Sequence, residues 1–155
     1  QMDGMTWDLD CEDVQDVVEP HFDLGKLFGI NANVQVLIEG NLEKRGHWNP
    51  AWKARYFVLD NRGRLVYYKS KESKDSGEDP AGRIALTNLC SIAKVGQQGD
   101  RICFDLCIPA NGQYRDRTFH LSSASSTSYE QWVRAMDDVR QRIYYTRFED
   151  KEGWW

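Results

Sequence analysis

At 155 residues, with 41% hydrophobic and 12% aromatic content, the chain is long enough for one domain with a real core. No apolar run approaches the roughly 18–20 residues of a membrane span, and no basic-then-apolar leader resembles a signal peptide. The net charge of −4 hides an asymmetry: residues 1–33 carry eight acids against Lys26, residues 34–148 carry 18 Lys/Arg against 13 Asp/Glu, and the last seven residues are net −2. A basic body behind an acidic leader points to an anionic partner for the body. The basic excess of +5 is modest, and the aromatics lack the spacing of RNA-binding strands, so nucleic acid is not expected. The chain starts with Gln1 rather than Met, which suggests an excised or processed piece of a larger protein. Four cysteines (Cys11, Cys90, Cys103, Cys107) form no CxxC pair and read as reduced thiols of an intracellular protein.

In chain order, residues 1–33 form an acidic extension. Val14, Val17 and Val18 allow a short helix over 11–18 that ends near Pro20. Its simplest role is a linker or packed flanking helix; the alternative is a tethered pseudo-ligand for the basic body. The main domain spans 34–147 and a tail follows at 148–155. Strands are expected at 34–44, 52–60, 64–70, 83–88, 89–95, 101–108 and 115–123, from their β-branched and aromatic content and the turn residues between them. Gly40 invites a bend or bulge, Asn61-Arg62-Gly63 a tight hairpin turn, and 71–82 a polar loop. Thr127 then opens a capping box with Glu130, and Trp132, Val133, Met136, Val139 and Ile143 follow at helical spacing. The expected helix has about 17–20 residues and one apolar face that must be covered. Seven antiparallel strands and one amphipathic helix imply a mainly β fold: a partly open barrel closed at one end by the helix.

Residues 42–59, LEKRGHWNPAWKARYFVL, hold the densest chemistry. Alternation puts Lys53, Arg55, Phe57 and Leu59 on one face of the second strand and Gly40, Leu42 and Lys44 on one face of the first. Antiparallel pairing then gathers Lys44, Lys53 and Arg55 at one end of a face that is apolar at the other. Arg45 and His47 lie where the strands join. Such a set is either three snorkelling side chains on a wet rim or a phosphate cradle. The guanidinium fork and the mobile ammonium charges favour the cradle. Trp52 reads as a wall residue. Trp48, beside Asn49-Pro50, either folds over Pro50 or wedges into a membrane interface.

Enzymatic signatures are missing: the sequence has no GxxxxGK[ST], GxGxxG, GxSxG, HExxH or EF-hand loop. His21, His47 and His120 lie far apart, and Cys103 and Cys107 are too distant along a strand to chelate one ion. No catalytic residue, metal site or cofactor is expected.

The pattern EGNLEKRG, an aromatic loop, then WKARYFVL, with Trp132 in a C-terminal helix, resembles a pleckstrin-homology (PH) domain over about residues 34–146. The resemblance implies a seven-stranded, partly open antiparallel barrel of two near-orthogonal sheets capped by one helix. It also implies phosphoinositide binding by many members, through a basic residue ending strand one and Lys/Arg-x-Arg in strand two, here Lys44, Lys53 and Arg55. Tyr68 matches a phosphate-contacting tyrosine of strand three, and Arg45 is expected to assist with it in phosphoinositide binding. His47, Lys71, Arg83, Arg115 and Arg117 are further candidates for headgroup contact, and Lys69, Lys71 and Lys74 for attraction to anionic lipid. Some trisphosphate-selective members have a basic residue where EDPAGR has Ala81, a departure that leaves isomer selectivity open. The expected function is membrane targeting by a phosphoinositide-binding module on the cytoplasmic face. The alternative is a PH-fold scaffold for a protein partner, such as a small GTPase or a peptide. Oligomeric state is not legible.

Overall fold

The computed structural model describes residues 33–110 and 115–143. The helix expected at 11–18 lies outside the described residues. Among the described residues there are seven strands: β1 (Val36–Arg45), β2 (Trp52–Asp60), β3 (Arg64–Tyr68), β4 (Gly82–Ala85), β5 (Ser91–Gln98), β6 (Arg101–Ile108) and β7 (Arg117–Ser123). A short helix α1 (Lys71–Asp75) precedes β4, and helix α2 (Ser126–Gln141) follows β7. These strands belong to one antiparallel sheet in the order β4-β3-β2-β1-β7-β6-β5, so β1 joins the two halves and β4 and β5 are the outermost strands among the described residues. That is the expected partly open barrel.

Alternation decides which side chains enter it. Leu42, Phe57, Leu59, Leu65, Tyr67, Phe104, Leu106 and Leu121 all turn inward. Helix α2 covers them with Tyr129, Trp132, Val133, Met136 and Val139. Trp132 meets Phe57 edge-on, with ring centroids 6.3 Å apart, and Phe57 also packs on Tyr67 at 5.1 Å. Burial of each such side chain contributes about 1.5–3 kcal/mol, so the helix is held by its apolar stripe rather than by propensity.

Several local expectations shift. The helix begins earlier than the Thr127 capping box suggests: Ser125 is the N-cap, and its hydroxyl accepts the Ser128 amide at 3.1 Å. The irregularity of β1 falls between Val36 and Ile38, ahead of Gly40, although Gly40 does adopt φ 157°. The polar stretch 71–82 contains α1, capped by Ser70, whose hydroxyl accepts the Ser73 amide. Strand β4 ends at Ala85 and β5 starts at Ser91; residues 86–90 form a connection that buries Leu86, Thr87 and Cys90 and exposes Asn88 and Leu89.

The β2–β3 turn is held tightly. Asp60 Oδ1 accepts from the amides of Arg62 and Arg64, and Asp60 Oδ2 from Arg64 Nε at 2.8 Å. Gly63 has φ 79°, and a side chain there would meet Ile143 Cδ1 at 2.6 Å and Leu86 O at 2.7 Å. Asn61 accepts from the Gln35 amide and donates to the Asn33 carbonyl through its side chain, and its own amide donates to the Gln35 carbonyl. Ile143, past the end of α2, accepts from the Asn88 amide at 2.7 Å.

Candidate functional site

The β1–β2 hairpin brings the predicted cations together. Its register sets Lys44 directly opposite Lys53, Leu42 opposite Arg55 and Gly40 opposite Phe57. These residues share the face that turns into the barrel, so the apolar end grades into a basic mouth. Lys44 is 4% exposed, which is rare for an ammonium group. Its Nζ lies 5.5 Å from the centre of the Tyr67 ring, where the π face offsets part of its lost hydration. Lys53 and Arg55 are half-buried, and Arg55 donates to the Ala54 carbonyl at 3.0 Å. Like charges directly across a ladder are unfavourable by a few tenths of a kcal/mol or more. An anion between these cations relieves that repulsion, which is the physical reason for reading the mouth as an anion site.

The third strand supplies a different tyrosine from the one expected. Tyr68 pairs with Tyr56 and therefore lies on the opposite face from Lys53 and Arg55. Tyr67 pairs with Phe57, faces inward and lies beneath Lys44. A Cβ on Gly82 would sit 2.4–2.6 Å from the Tyr67 ring and hydroxyl, so the first position of β4, paired with Tyr67, favours glycine. Lys69 follows β3 in a bend, one residue past the last ladder pair Tyr56↔Tyr68, and is exposed.

Arg45 and His47 lie elsewhere. Arg45 alternates with Lys44 and faces outward, its Nε donating to the Pro50 carbonyl at 3.3 Å. Together with Gly46, His47 and Pro50 it lines one wall of a cleft of about 180 Å³ whose other wall is residues 117–120 of β7. Arg117 belongs to this cleft, its guanidinium stacked 4.7 Å above the Phe119 ring. Arg115 is exposed in the connection before β7.

Other predicted contacts do not join the mouth. Lys71 pairs with Asp75 at 2.9 Å within α1, an interaction that raises the Lys71 pKa and lowers that of Asp75. Lys74 lies 3.8 Å from Glu39. Arg83 pairs with Val66 and shares an outer cleft with Val58, Asp60 and Arg64, on the reverse of the sheet from Lys53 and Arg55.

The tryptophans separate as their positions suggest. Trp52 is half-buried under the Arg101 guanidinium, at 5.2 Å, and Arg101 in turn donates to Glu43 at 2.7 Å. Trp48 is 65% exposed at the hairpin tip, with the His47 ring edge-on at 5.0 Å. His120 pairs with Asp105 through Nδ1 at 2.8 Å. Among the described residues, no cluster of His, Cys, Asp and Glu could hold a metal ion, and no helix is long and apolar enough to cross a membrane. Burial raises the Cys90 and Cys103 thiol pKa values, so both favour the protonated form.

Similarity to known proteins agrees with this architecture. The rat (Rattus norvegicus) RAC-beta serine/threonine-protein kinase is 30% identical over 111 residues, which cover 71% of this chain and 22% of the kinase. A Xenopus laevis RAC-beta kinase B is 27% identical over 77% of this chain and 24% of its own length. The chain thus spans about a quarter or less of the curated relatives it matches. Among solved structures, the C-terminal PH domain of pleckstrin superposes with a TM-score of 0.57 at 24% identity, covering 70% of this chain and all of that one. The Slm1-PH domain, solved in complex with inositol-4-phosphate, gives a TM-score of 0.57 at 21% identity, covering 69% of this chain and 98% of that one. The PH-domain family model itself matches residues 36–141, well over half of the chain, and the protein belongs to the PH-domain family.

Proposed function

We propose that this domain binds the phosphorylated headgroup of an inositol lipid at the Lys44–Lys53–Arg55 mouth and so holds its parent protein against a membrane surface. The observation that carries the reading is the register: two lysines face each other across the ladder with an arginine next on the same face, at one end of an otherwise apolar barrel. Phosphate takes the Arg55 fork in a bidentate contact, while the lysines contribute as point charges. Exposed Lys69 adds a fourth charge. Pleckstrin and Slm1 PH domains have been solved with inositol phosphates, which supports the same ligand class here. Each cation near an anionic surface adds attraction on the order of 1 kcal/mol. Trp48, exposed at the tip of the same hairpin, inserts its indole into the lipid interface. The module has no catalytic role of its own and acts peripherally on the cytoplasmic face.

Vesicle sedimentation tests this directly. Lys53→Ala and Arg55→Ala, each with an unchanged thermal midpoint, should lose most binding to phosphoinositide vesicles, and wild-type binding should fall as salt rises. Wild-type affinity in both variants would sink the mechanism. The rival reading, a protein scaffold, would need an apolar stripe on β5 to β7. On those strands Val95 is the one exposed large hydrophobic among the described residues, which makes no stripe.

A further inference from the structure

The outer cleft that Arg83 shares with β2 and β3 has an uncommon lining. Phe57, Leu59, Leu65 and Tyr67 turn into the barrel, so Val58, Asp60, Arg64 and Val66 face outward. Register carries this row across three strands, with Val58 opposite Val66 and Val66 opposite Arg83. These five residues line a cleft of about 220 Å³. Val58 and Val66 give it an apolar floor, and Arg64 and Arg83 give it two guanidiniums. Asp60 is already committed: Oδ1 accepts from the amides of Arg62 and Arg64, and Oδ2 from Arg64 Nε. Arg83 is half-buried, and no hydrogen bond or ion pair among the described residues engages its guanidinium. A half-buried group with five N–H donors and no acceptor favours an anion beside it.

We propose that this cleft is the docking site for residues 13–19 of the same chain, with one of their carboxylates on Arg83 and the adjoining valine on the Val58–Val66 floor. Residues 13–19 read DVQDVVE, so each of the three acids has a valine next to it. That pairing of one negative charge with one short aliphatic group matches the lining. A phosphate dianion matches it less well, because it would crowd Asp60 and leave the valine floor uncovered. Position agrees with composition. The described fold begins at residue 33, and residues 33 and 35 are bonded to Asn61, which stands between Asp60 and Arg64 of the cleft. Residues 20–32, at up to about 3.5 Å each, are long enough to cross three strands spaced about 4.8 Å apart. The contact is then intramolecular, and an effective concentration in the millimolar range replaces high intrinsic affinity. The Lys44–Lys53–Arg55 mouth lies at the other end of β2 and on the other face of the sheet. The docked segment therefore does not compete with a ligand there.

A nitroxide on Cys11, two residues ahead of the segment, tests the proposal in the full 155-residue chain. Cys90 and Cys103 are buried, and Cys107→Ser removes the half-buried third thiol, so the label goes to one place. At low salt the label should strongly broaden the amide signals of Val58, Val66 and Arg83, and those of Lys53 and Arg55 little. Arg83→Gln should remove most of that broadening while the amide shifts of β5 to β7 stay in place, and so should about 1 M salt. Asp13→Asn/Asp16→Asn/Glu19→Gln should do the same from the other partner. Arg83→Glu alone should lose the contact, and its combination with Asp16→Arg/Glu19→Arg should restore it. Phosphoinositide-vesicle binding should be unchanged in Arg83→Gln, which keeps this result separate from that of the mouth. Broadening centred on Lys53 and Arg55 overturns the proposal and makes the segment a ligand of the mouth. Broadening seen only between a labelled chain and a second, isotope-enriched copy assigns the cleft to a neighbouring molecule and overturns it too. So does broadening that is absent, or that Arg83→Gln leaves in place.

Discussion

A Cβ at Gly82 would lie 2.4 Å from Cε1 of Tyr67, and the Tyr67 ring carries the Lys44 ammonium on its face. The glycine thus acts on the basic mouth through one intervening ring. Gly82→Ala should push that ring off its position and cost about 1–3 kcal/mol, the usual range for overpacking a full core. Urea denaturation measures the cost, and an unchanged midpoint would contradict the contact. Vesicle binding should weaken in step, since Lys44 loses its support. The neighbouring tyrosines also show where reading by family position stops. Tyr68 matches a family contact by sequence position, but facing is set by parity. Leu59 pairs with Leu65 across the β2–β3 turn, so odd-numbered residues remain on the barrel side and Tyr67 inherits the place beside the cations.

Elements tell a similar story at the next scale. The seven strands and the final helix were legible because alternation and helical spacing are strong periodic signals, and the Lys44–Lys53–Arg55 convergence followed from alternation with antiparallel pairing alone. Helix ends were less legible, because several hydroxyls compete for the cap. The run Ser125-Ser126-Thr127-Ser128 offers four candidates, and the one chosen is Ser125. Ser125→Ala should therefore cost about 1 kcal/mol, whereas Thr127→Ala, inside the first turn, should cost only a few tenths. Equal losses in urea titrations would put the cap back in doubt. Helix α1 was hidden in a loop of polar residues because its stability comes from a local cap and one Lys71–Asp75 pair rather than from an apolar face. Arg117 was named for its place before β7, but its cleft depends on where the β1–β7 ladder stops, a three-dimensional property with no periodic signature.

At the scale of the whole fold, the shifted thiols and phenols among the described residues share one direction. Cys90 and Cys103 are raised by burial, as are Tyr56 and Tyr129; Tyr56 is also raised by its hydrogen bond to Glu39. In the unfolded chain these groups ionise near their ordinary values of 9.0 for the thiols and 10.0 for the phenols, while in the fold they hold their protons longer. The folded state then binds more protons, so stability falls as pH rises above about 9. Thermal midpoints between pH 7 and 10.5 should decline from that point. Tyr56→Phe, which removes one titrating phenol, should make the decline shallower. A flat profile through pH 10.5 would contradict the direction of these shifts.

The β2–β3 turn has one more consequence, for how the domain hangs in a longer chain. Asn61 ties down residues 33–35, and Gly63 abuts Ile143, so the strand that enters the fold and the segment that leaves it both dock at this turn. The turn lies at the end of β2 remote from Trp52 and the cations. Entry and exit therefore share one pole, and the basic mouth with its exposed indole occupies the other. With lipid at the mouth, as proposed above, residues 33–35 and Ile143 lie at the pole remote from the membrane, so the described fold can hang within a longer chain like a pendant. The cut points matter for the same reason: a piece trimmed to 36–141 would lose the partners of Asn61 and Gly63 and leave the hinge of that pendant unpinned.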